Sequence, residues 1–295
     1  MLKGIILAGG KNTRLAPLTT AISKQLLPVY DKPMIFYPYS TLLCAGCREI
    51  LVIVRSDRDE EAMRKVLPVP PGVKLTYELQ LEPRGIADAF LIAGRCEFLQ
   101  SQDQVLLILG DNLFHGDKLL AETLLMATTM GKQPHVFLHQ VSDARSYGVA
   151  EFTERGGLAR IVEKPDNPPS RWVQTGLYLH DYSVIQIARD LKPSARGELE
   201  IADISNAYLD MQNLRFTKSL PGMCWFDMGT ADDLQAAGNY VAAIQKRQGT
   251  LVGCPLTSAV LGGLADATWV AEQAAKFQNE YGAGLARWLE GRADV

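Results

Sequence analysis

Cysteine, one-sided charge and long apolar runs are all in short supply in this chain, and each shortage closes off a class of protein. Five cysteines in 295 residues, an odd number at scattered spacing, do not form a disulfide framework. Cys44 and Cys47 have the spacing of a zinc or redox pair, but Cys96, Cys224 and Cys254 are isolated, so no second pair completes a tetrahedral site. Packing within a helix explains the pair more simply. His135 and His139 share a strand-like run with no acidic third ligand at motif spacing, so no metal is expected there. Thirty basic against 33 acidic residues leave a net charge of −3 and no basic block, which argues against nucleic acid as a partner. No stretch is as long and apolar as a transmembrane helix, and the N-terminus enters a strand without a signal-peptide pattern, so a cytoplasmic protein with no membrane partner is expected.

What the chain does have is a long alternation of strand-like and helix-like segments. Apolar runs at 4–8, 49–54, 74–79 and 105–110 are separated by helical patterns at about 34–46, 58–66, 85–99 and 117–130. This βα alternation predicts an α/β fold with a doubly wound, mainly parallel sheet. Closer-set strands follow at about 135–140, 148–152, 159–163, 174–181 and 214–220, which makes the sheet mixed. From 231 onward, helical spacing covers 231–247 and 265–292, with Trp269, Tyr281 and Trp288 as large contacts. At this length the chain is one large α/β domain with an appendage, or two domains.

The first strand runs into Gly9-Gly10 at its carboxyl end, where open α/β sheets place their ligands. Without Cβ atoms these residues let the backbone turn and bring N–H groups to a phosphate chain, with Arg14 and Lys24 supplying positive charge. Two familiar glycine loops are excluded. The NTPase phosphate loop needs Gly where Ile5 stands and Ser or Thr where Asn12 stands, and the dinucleotide fingerprint needs Gly-x-Gly, which also removes a nicotinamide dehydrogenase. Asp111 follows another apolar strand, so it emerges on the same edge. A carboxylate there meets a triphosphate, and with Asp227, between a hydrophobic pair and a glycine turn, it makes part of an oxygen-only site of the kind Mg²⁺ prefers.

The string Leu7-Ala-Gly-Gly-Lys-Asn-Thr-Arg-Leu15 with Ser23-Lys-Gln-Leu-Leu-Pro28, followed through Met34, resembles the signature of the sugar-1-phosphate nucleotidyltransferases, and among them the thymidylyltransferase branch. The resemblance implies a Rossmann-like nucleotidyltransferase fold over about 1–230, with a nucleotide half at 1–134 and a sugar half at 135–230. Residues 231–295 become a helical appendage for packing, oligomer contacts and effector binding. It implies Mg²⁺-dependent transfer of a thymidylyl group from dTTP to glucose 1-phosphate by a homo-oligomer, a tetramer by family habit. On the nucleotide side it places Leu7, Gly9, Gly10, Thr13, Arg14, Lys24, Gln25, Gln80, Gly85 and Asp111. Gln80 would pair with the base edge, and Gly85 would let the ring lie on the backbone. On the sugar side it places Asn112, Tyr147, Gly148, Glu163, Lys164, Thr175, Tyr178 and Arg196, with metal on Asp111 and Asp227. Arg14, Lys24, Lys164 and Asp111 are the expected catalytic set.

The chain departs from the family pattern at Arg84, in a turn usually built otherwise, at Ala202, where Thr is usual, and at Met228, where a small hydroxyl residue is usual. Asn12, Arg84 and Met228 favour a paralogue using UTP or another hexose 1-phosphate. A non-catalytic sugar-nucleotide sensor is the reading from another class, but a pure binder has no need of Arg14, Lys24, Asp111 and Asp227 together. Glu198, Glu200 and Asp203 are expected to stabilise a helix N-terminus rather than to act on substrate.

Overall fold

The structure, a computed structural model, describes residues 1–10, 13–116, 124–125, 129 and 133–293. Four parallel strands form the middle: β1 (Leu2–Leu7) lies between β4 (Glu49–Val54) and β6 (Gln104–Leu109), and β5 (Lys74–Leu79) pairs with β4. The chain runs outward from β1 to β4 and β5 and then returns to the other side of β1, so a crevice opens at the carboxyl ends of β1 and β6. Their register pairs Leu7 with Leu109, which brings Gly9-Gly10 and Asp111 to one edge.

The sheet continues without a break into the second half of the chain. The long strand β11 (Trp172–Asp181) runs antiparallel to β6 and also pairs with β8 (His135–Gln140) and β9 (Gly148–Phe152). Beyond it, β10 (Leu158–Glu163) pairs with β9, and β12 (Arg215–Lys218) runs parallel to β8. Two short antiparallel pairs lie outside this sheet: β2 (Pro28–Val29) with β3 (Lys32–Pro33), and β7 (Asn112–His115) with β13 (Cys224–Asp227).

The central strands are apolar on both faces because helices cover both. Ile6, Val52, Leu106 and Ile108 face one layer with α1 (Phe36–Cys44) and α2 (Asp57–Val66). Ile5, Leu51, Val105 and Leu107 face the other, with α3 (Asp88–Arg95), α4 (Val184–Asp190) and α5 (Ile201–Asp210). This is the doubly wound, mainly parallel mixed sheet that the alternation predicts. Among the described residues no helix is long and apolar enough to cross a membrane.

The C-terminal helices are α6 (Ala231–Gln248), α7 (Pro255–Leu261), α8 (Ala267–Ala274) and α9 (Glu280–Ala293). Thr230 caps α6 by accepting from Asp233 N, and Gly249 closes it with a left-handed φ of 69°. The helix expected over 265–292 is two helices, because the Asn279 side chain accepts from Gly282 N and starts a new one. The helix expected over 117–130 lies outside the described residues, apart from 124–125 and 129. The segment expected as a helix over 85–99 is helical only from Asp88, since Gly85 holds a φ of 106°.

Gly262 follows α7 directly against α1: a Cβ there would stand 1.9 Å from the Leu43 carbonyl oxygen. By contrast, Gly291 in α9 has open space around the same position. Gly262→Ala is therefore expected to destabilise the fold by about 1–3 kcal/mol through overpacking, whereas Gly291→Ala should stabilise it by about 0.5–1 kcal/mol through helix propensity. Urea unfolding of the two variants reads the opposite signs, and equal effects would mean that the α7–α1 contact is not as close as described.

Candidate active site

Gly110 joins the two strand ends, its N–H donating to the Leu7 carbonyl at 2.9 Å. Asp111 follows, and the register of β7 with β13 sets Asn112 opposite Asp227. Met228 N donates to the Asp111 carbonyl at 2.9 Å and closes the pair. Met228 itself is fully buried with Val29, Met34, Tyr37 and Leu113, so an apolar cluster accounts for this departure from the family pattern.

The two carboxyls sit in opposite electrostatic situations. Burial alone would raise Asp111, but the Lys24 ammonium, which donates to its Oδ2, and the Asn112 amide bring it below the ordinary range. Asp227 has no such donor among the described residues. Burial and the Asp111 charge push it up to about 7, against a smaller opposing pull from Lys24 and Arg14. The site thus holds a proton near neutrality where a cation would suit it. Two adjacent carboxylates and no nitrogen or sulfur donor fit a hard divalent ion. Among the described residues no three His, Cys, Asp or Glu side chains cluster as ligands, so phosphate and water oxygens would have to complete the shell.

Two cavities adjoin this pair and share Arg14 and Glu198 in their walls. The first, of about 520 Å³, is lined by Gly10, Thr13, Arg14, Lys24, Arg196 and Gly229 among others. Gly10 has a φ of 106° with nothing near its missing Cβ, so its backbone is open to a ligand. Arg14 lies against Gly229, where a Cβ would come within 2.9 Å of its Nη2. Lys11 and Asn12 lie outside the described residues.

The second cavity, of about 570 Å³, contains Asp111, Asp227, Tyr147, Glu163, Lys164 and Tyr178 in its wall, with Gly148 and Asn112. A side chain at Gly148 would press on Ile161 at 3.1 Å and Glu163 at 3.3 Å. Lys164 takes a positive φ of 43°, rare for a residue with a side chain, while its N–H donates to the Tyr147 carbonyl at 2.9 Å. Burial raises the Glu163 carboxyl, with Lys164 and Arg196 pulling the other way.

Several residues stand elsewhere than the resemblance implies. Thr175 is on the opposite face of β11 from Gln174, Gly176 and Tyr178, and its hydroxyl donates to the Phe137 carbonyl at 2.9 Å, so strand alternation turns it away from the second cavity. Gln25 is buried, accepts from Ser23 Oγ at 2.5 Å and lies under Gly110, which makes it a support of the loop. The Leu7 side chain packs with the apolar layer that includes Leu109. Gly85 is explained by Leu199, whose backbone atoms would stand 2.4–2.9 Å from a Cβ. Asn112 reaches the cavity with its amide committed: Oδ1 accepts from Gly176 N at 3.2 Å and Trp225 Nε1 at 2.6 Å, and Nδ2 donates to Asp111 at 3.1 Å. Gln80 is buried beneath Gly9 rather than in either cavity wall.

Arg196, expected with Glu163 and Lys164, lines the first cavity rather than the second, and it does not face that cavity unopposed. Its guanidinium contacts Glu163 at 3.1 Å, Glu198 at 3.6 Å and Glu200 at 2.7 Å. Glu200 occupies the N-cap position of α5 but makes no capping bond; its carboxylate accepts from Arg196 and from Ser194 Oγ instead. Glu200 therefore stands at the helix N-terminus as expected, with its hydrogen bonds given to Arg196 and Ser194. Trp225, Gln174 and Arg145 line the second cavity without a role expected from the sequence. Trp225 was within reach of strand alternation, which sets it two residues from Asp227 on one side of β13.

A family model for nucleotidyl transferases matches residues 3–244 of the chain. The chain belongs to the nucleotidyl transferase family. Its sequence is 44% identical over 283 residues to a glucose-1-phosphate thymidylyltransferase of Xanthomonas campestris pv. campestris, covering 95% of this chain and 94% of the relative. A Neisseria meningitidis protein of the same name is 41% identical over 292 residues, covering 98% and 100%. A solved Bacillus anthracis structure, provisionally assigned as a glucose-1-phosphate thymidylyltransferase, superposes with a TM-score of 0.72 at 35% identity, covering 81% of this chain and 95% of that one. A UDP-glucose pyrophosphorylase superposes at 0.69 with 23% identity, a likeness of fold.

The raised carboxyl yields a stability prediction for this nucleotidyltransferase. Relative to an unfolded value of 3.8, Asp227 held at about 7 contributes stability below pH 3.8 that is lost as pH rises to about 7. Asp227→Asn removes the loss, so in metal-free buffer its melting temperature should exceed wild type by a margin that grows from about pH 4 to about pH 7 and then levels. A margin independent of pH would show that Asp227 is not held protonated.

Proposed function

We propose that the chain transfers a thymidylyl group from dTTP to glucose 1-phosphate, releasing pyrophosphate and forming dTDP-glucose. The observation that carries this reading is the pair of adjoining cavities around one carboxylate pair, each with its own cations, in a chain similar end to end to proteins of that activity. The cavity beside Gly10, Arg14 and Lys24 is read as the triphosphate side, and the one beside Tyr147, Glu163 and Lys164 as the sugar side. Gln80 is read as the group that reaches the base edge.

The nucleophile is a phosphate oxygen of the sugar phosphate, already anionic at neutral pH, so no general base or covalent intermediate is needed. One O–P bond forms to the α-phosphorus, and the bond from that phosphorus to the β-bridging oxygen breaks, leaving pyrophosphate. The obstacle is repulsion between two anions. By the resemblance Lys164 and Arg196 would hold the attacking phosphate, Arg196 from the wall of the neighbouring cavity, Lys24 the α-phosphate, and Arg14 the departing pyrophosphate. Asp111 and Asp227 would hold a divalent cation, which we infer to be Mg²⁺. Bound there, it would offset charge on the phosphates. By the same resemblance, residues 1–230 are taken as the catalytic unit and 231–295 as an appendage serving assembly into a homo-oligomer, whose size sedimentation velocity reports.

Pyrophosphate release is the direct test. Of the four common NTPs and dTTP, crossed with several hexose 1-phosphates, dTTP with glucose 1-phosphate should have the highest kcat/KM, with release dependent on Mg²⁺; a higher value for another pair would overturn the substrate assignment. Arg196→Ala should raise KM for glucose 1-phosphate at least about tenfold while dTTP affinity, read by calorimetry, changes little. A large loss of dTTP affinity would place Arg196 on the nucleotide side.

A further inference from the structure

The Gln80 amide lies between two constraints that the mechanism above does not use. On one side, its Oε1 is directed at Gly9, where a Cβ would stand only 2.6 Å away. On the other, its Nε2 donates to Asp88 Oδ2 at 2.9 Å. Both side chains are deeply buried, at 5% exposure for Gln80 and 3% for Asp88. Asp88 has a second oxygen, Oδ1, that is also buried and makes no hydrogen bond among the described residues; the Arg84 guanidinium lies 3.8 Å from it.

A side-chain amide has two faces of opposite chemistry, and a free one flips to suit whatever it meets. Gln80 is not free to do so. A carboxylate offers acceptors only, so turning the amide over would set Oε1 against Asp88 Oδ2 and leave two buried oxygens facing each other without a hydrogen. The Nε2 group keeps one hydrogen beyond the one given to Asp88, and Oε1 keeps its lone pairs. An amide held this way complements an edge that presents a carbonyl next to a ring N–H, as thymine and uracil do. Cytosine presents an amino group next to an unprotonated ring nitrogen and needs the amide turned over.

We propose that Asp88 is the specificity-determining residue that locks the Gln80 amide in the orientation selective for a pyrimidine with a 4-keto edge. The proposal deepens the base-side reading given above and rests on it. Asp88 does not touch the nucleotide; it acts by making one orientation of Gln80 costly, an element of specificity directed against the wrong partner. Gly9 belongs to the same device, since any side chain there would displace the amide oxygen. Arg84 falls beside Asp88, so this departure from the family pattern sits next to the lock.

The test compares kcat/KM for dTTP and dCTP in wild type, Asp88→Asn, Asp88→Ser and Gln80→Ala, with thermal melts to establish folding. Asn and Ser both donate and accept, so either lets the amide turn over. The dTTP/dCTP ratio should fall at least about tenfold in Asp88→Asn and Asp88→Ser, mostly by a gain with dCTP, while KM for glucose 1-phosphate stays near wild type. General damage would instead lower both nucleotides together. Gln80→Ala separates the two levels of the argument. If its ratio collapses while both Asp88 variants keep the wild-type ratio, Gln80 reads the base and the lock is wrong. If Gln80→Ala itself keeps the wild-type ratio, the base is read elsewhere and the lock falls with that reading.

Discussion

Two carboxylates set side by side, one buried and one half-buried, are the constraint on which the rest of the site depends. Like charges at short range in a poorly solvated setting cannot both persist without compensation. Asp111 is compensated by Lys24, and Asp227 by a proton near neutrality. The surrounding groups follow from this division. Asn112 and Trp225 fix Asp111 through a chain of hydrogen bonds, Gly229 leaves room for Arg14 beside Asp227, and Met228 anchors the segment in an apolar cluster. Asp111 and Asp227, the residues that would hold a divalent cation, are already assembled side by side, which leaves little reorganisation for the site.

Much of this frame was legible from sequence because it is local. An apolar strand followed by Gly9-Gly10, and another followed by Asp111, announce the same sheet edge, since period and burial set where a buried parallel strand ends. The second half was legible at the level of strands: 135–140 and 148–152 are found where alternation puts them. What was not legible depends on partners far away in the chain. The β7–β13 pair that joins Asp111 to Asp227 spans more than a hundred residues and has four residues on each side, too few to show a period. The commitment of Gln25, the engagement of Glu200 with Arg196 and the Gln80–Asp88 bond are likewise facts about which buried polar group found which partner, and residue type alone does not encode that. Thr175 is a different case: Gln174, Gly176 and Tyr178 share one side of a strand, so the alternation rule already argued against it.

Under the proposed assignment, Arg196 would be a binding residue held ready without being spent on its holders. The Glu200 carboxylate is nearly buried and grips Nε at 3.2 Å and Nη2 at 2.7 Å, a two-point geometry that orients the guanidinium. Glu163 and Glu198 are more exposed, and ion pairs in such settings contribute only about 0.2–1 kcal/mol each. A sugar phosphate carrying nearly two charges would displace these weaker contacts at small cost while the Glu200 grip keeps the arginine aimed. Glu163 would then be released from the guanidinium, with a carboxylate free beside Lys164 for the hydroxyls of the sugar. Recognition of the two ends of one substrate would in this way be coupled through a single side chain in the loop that leads into α5.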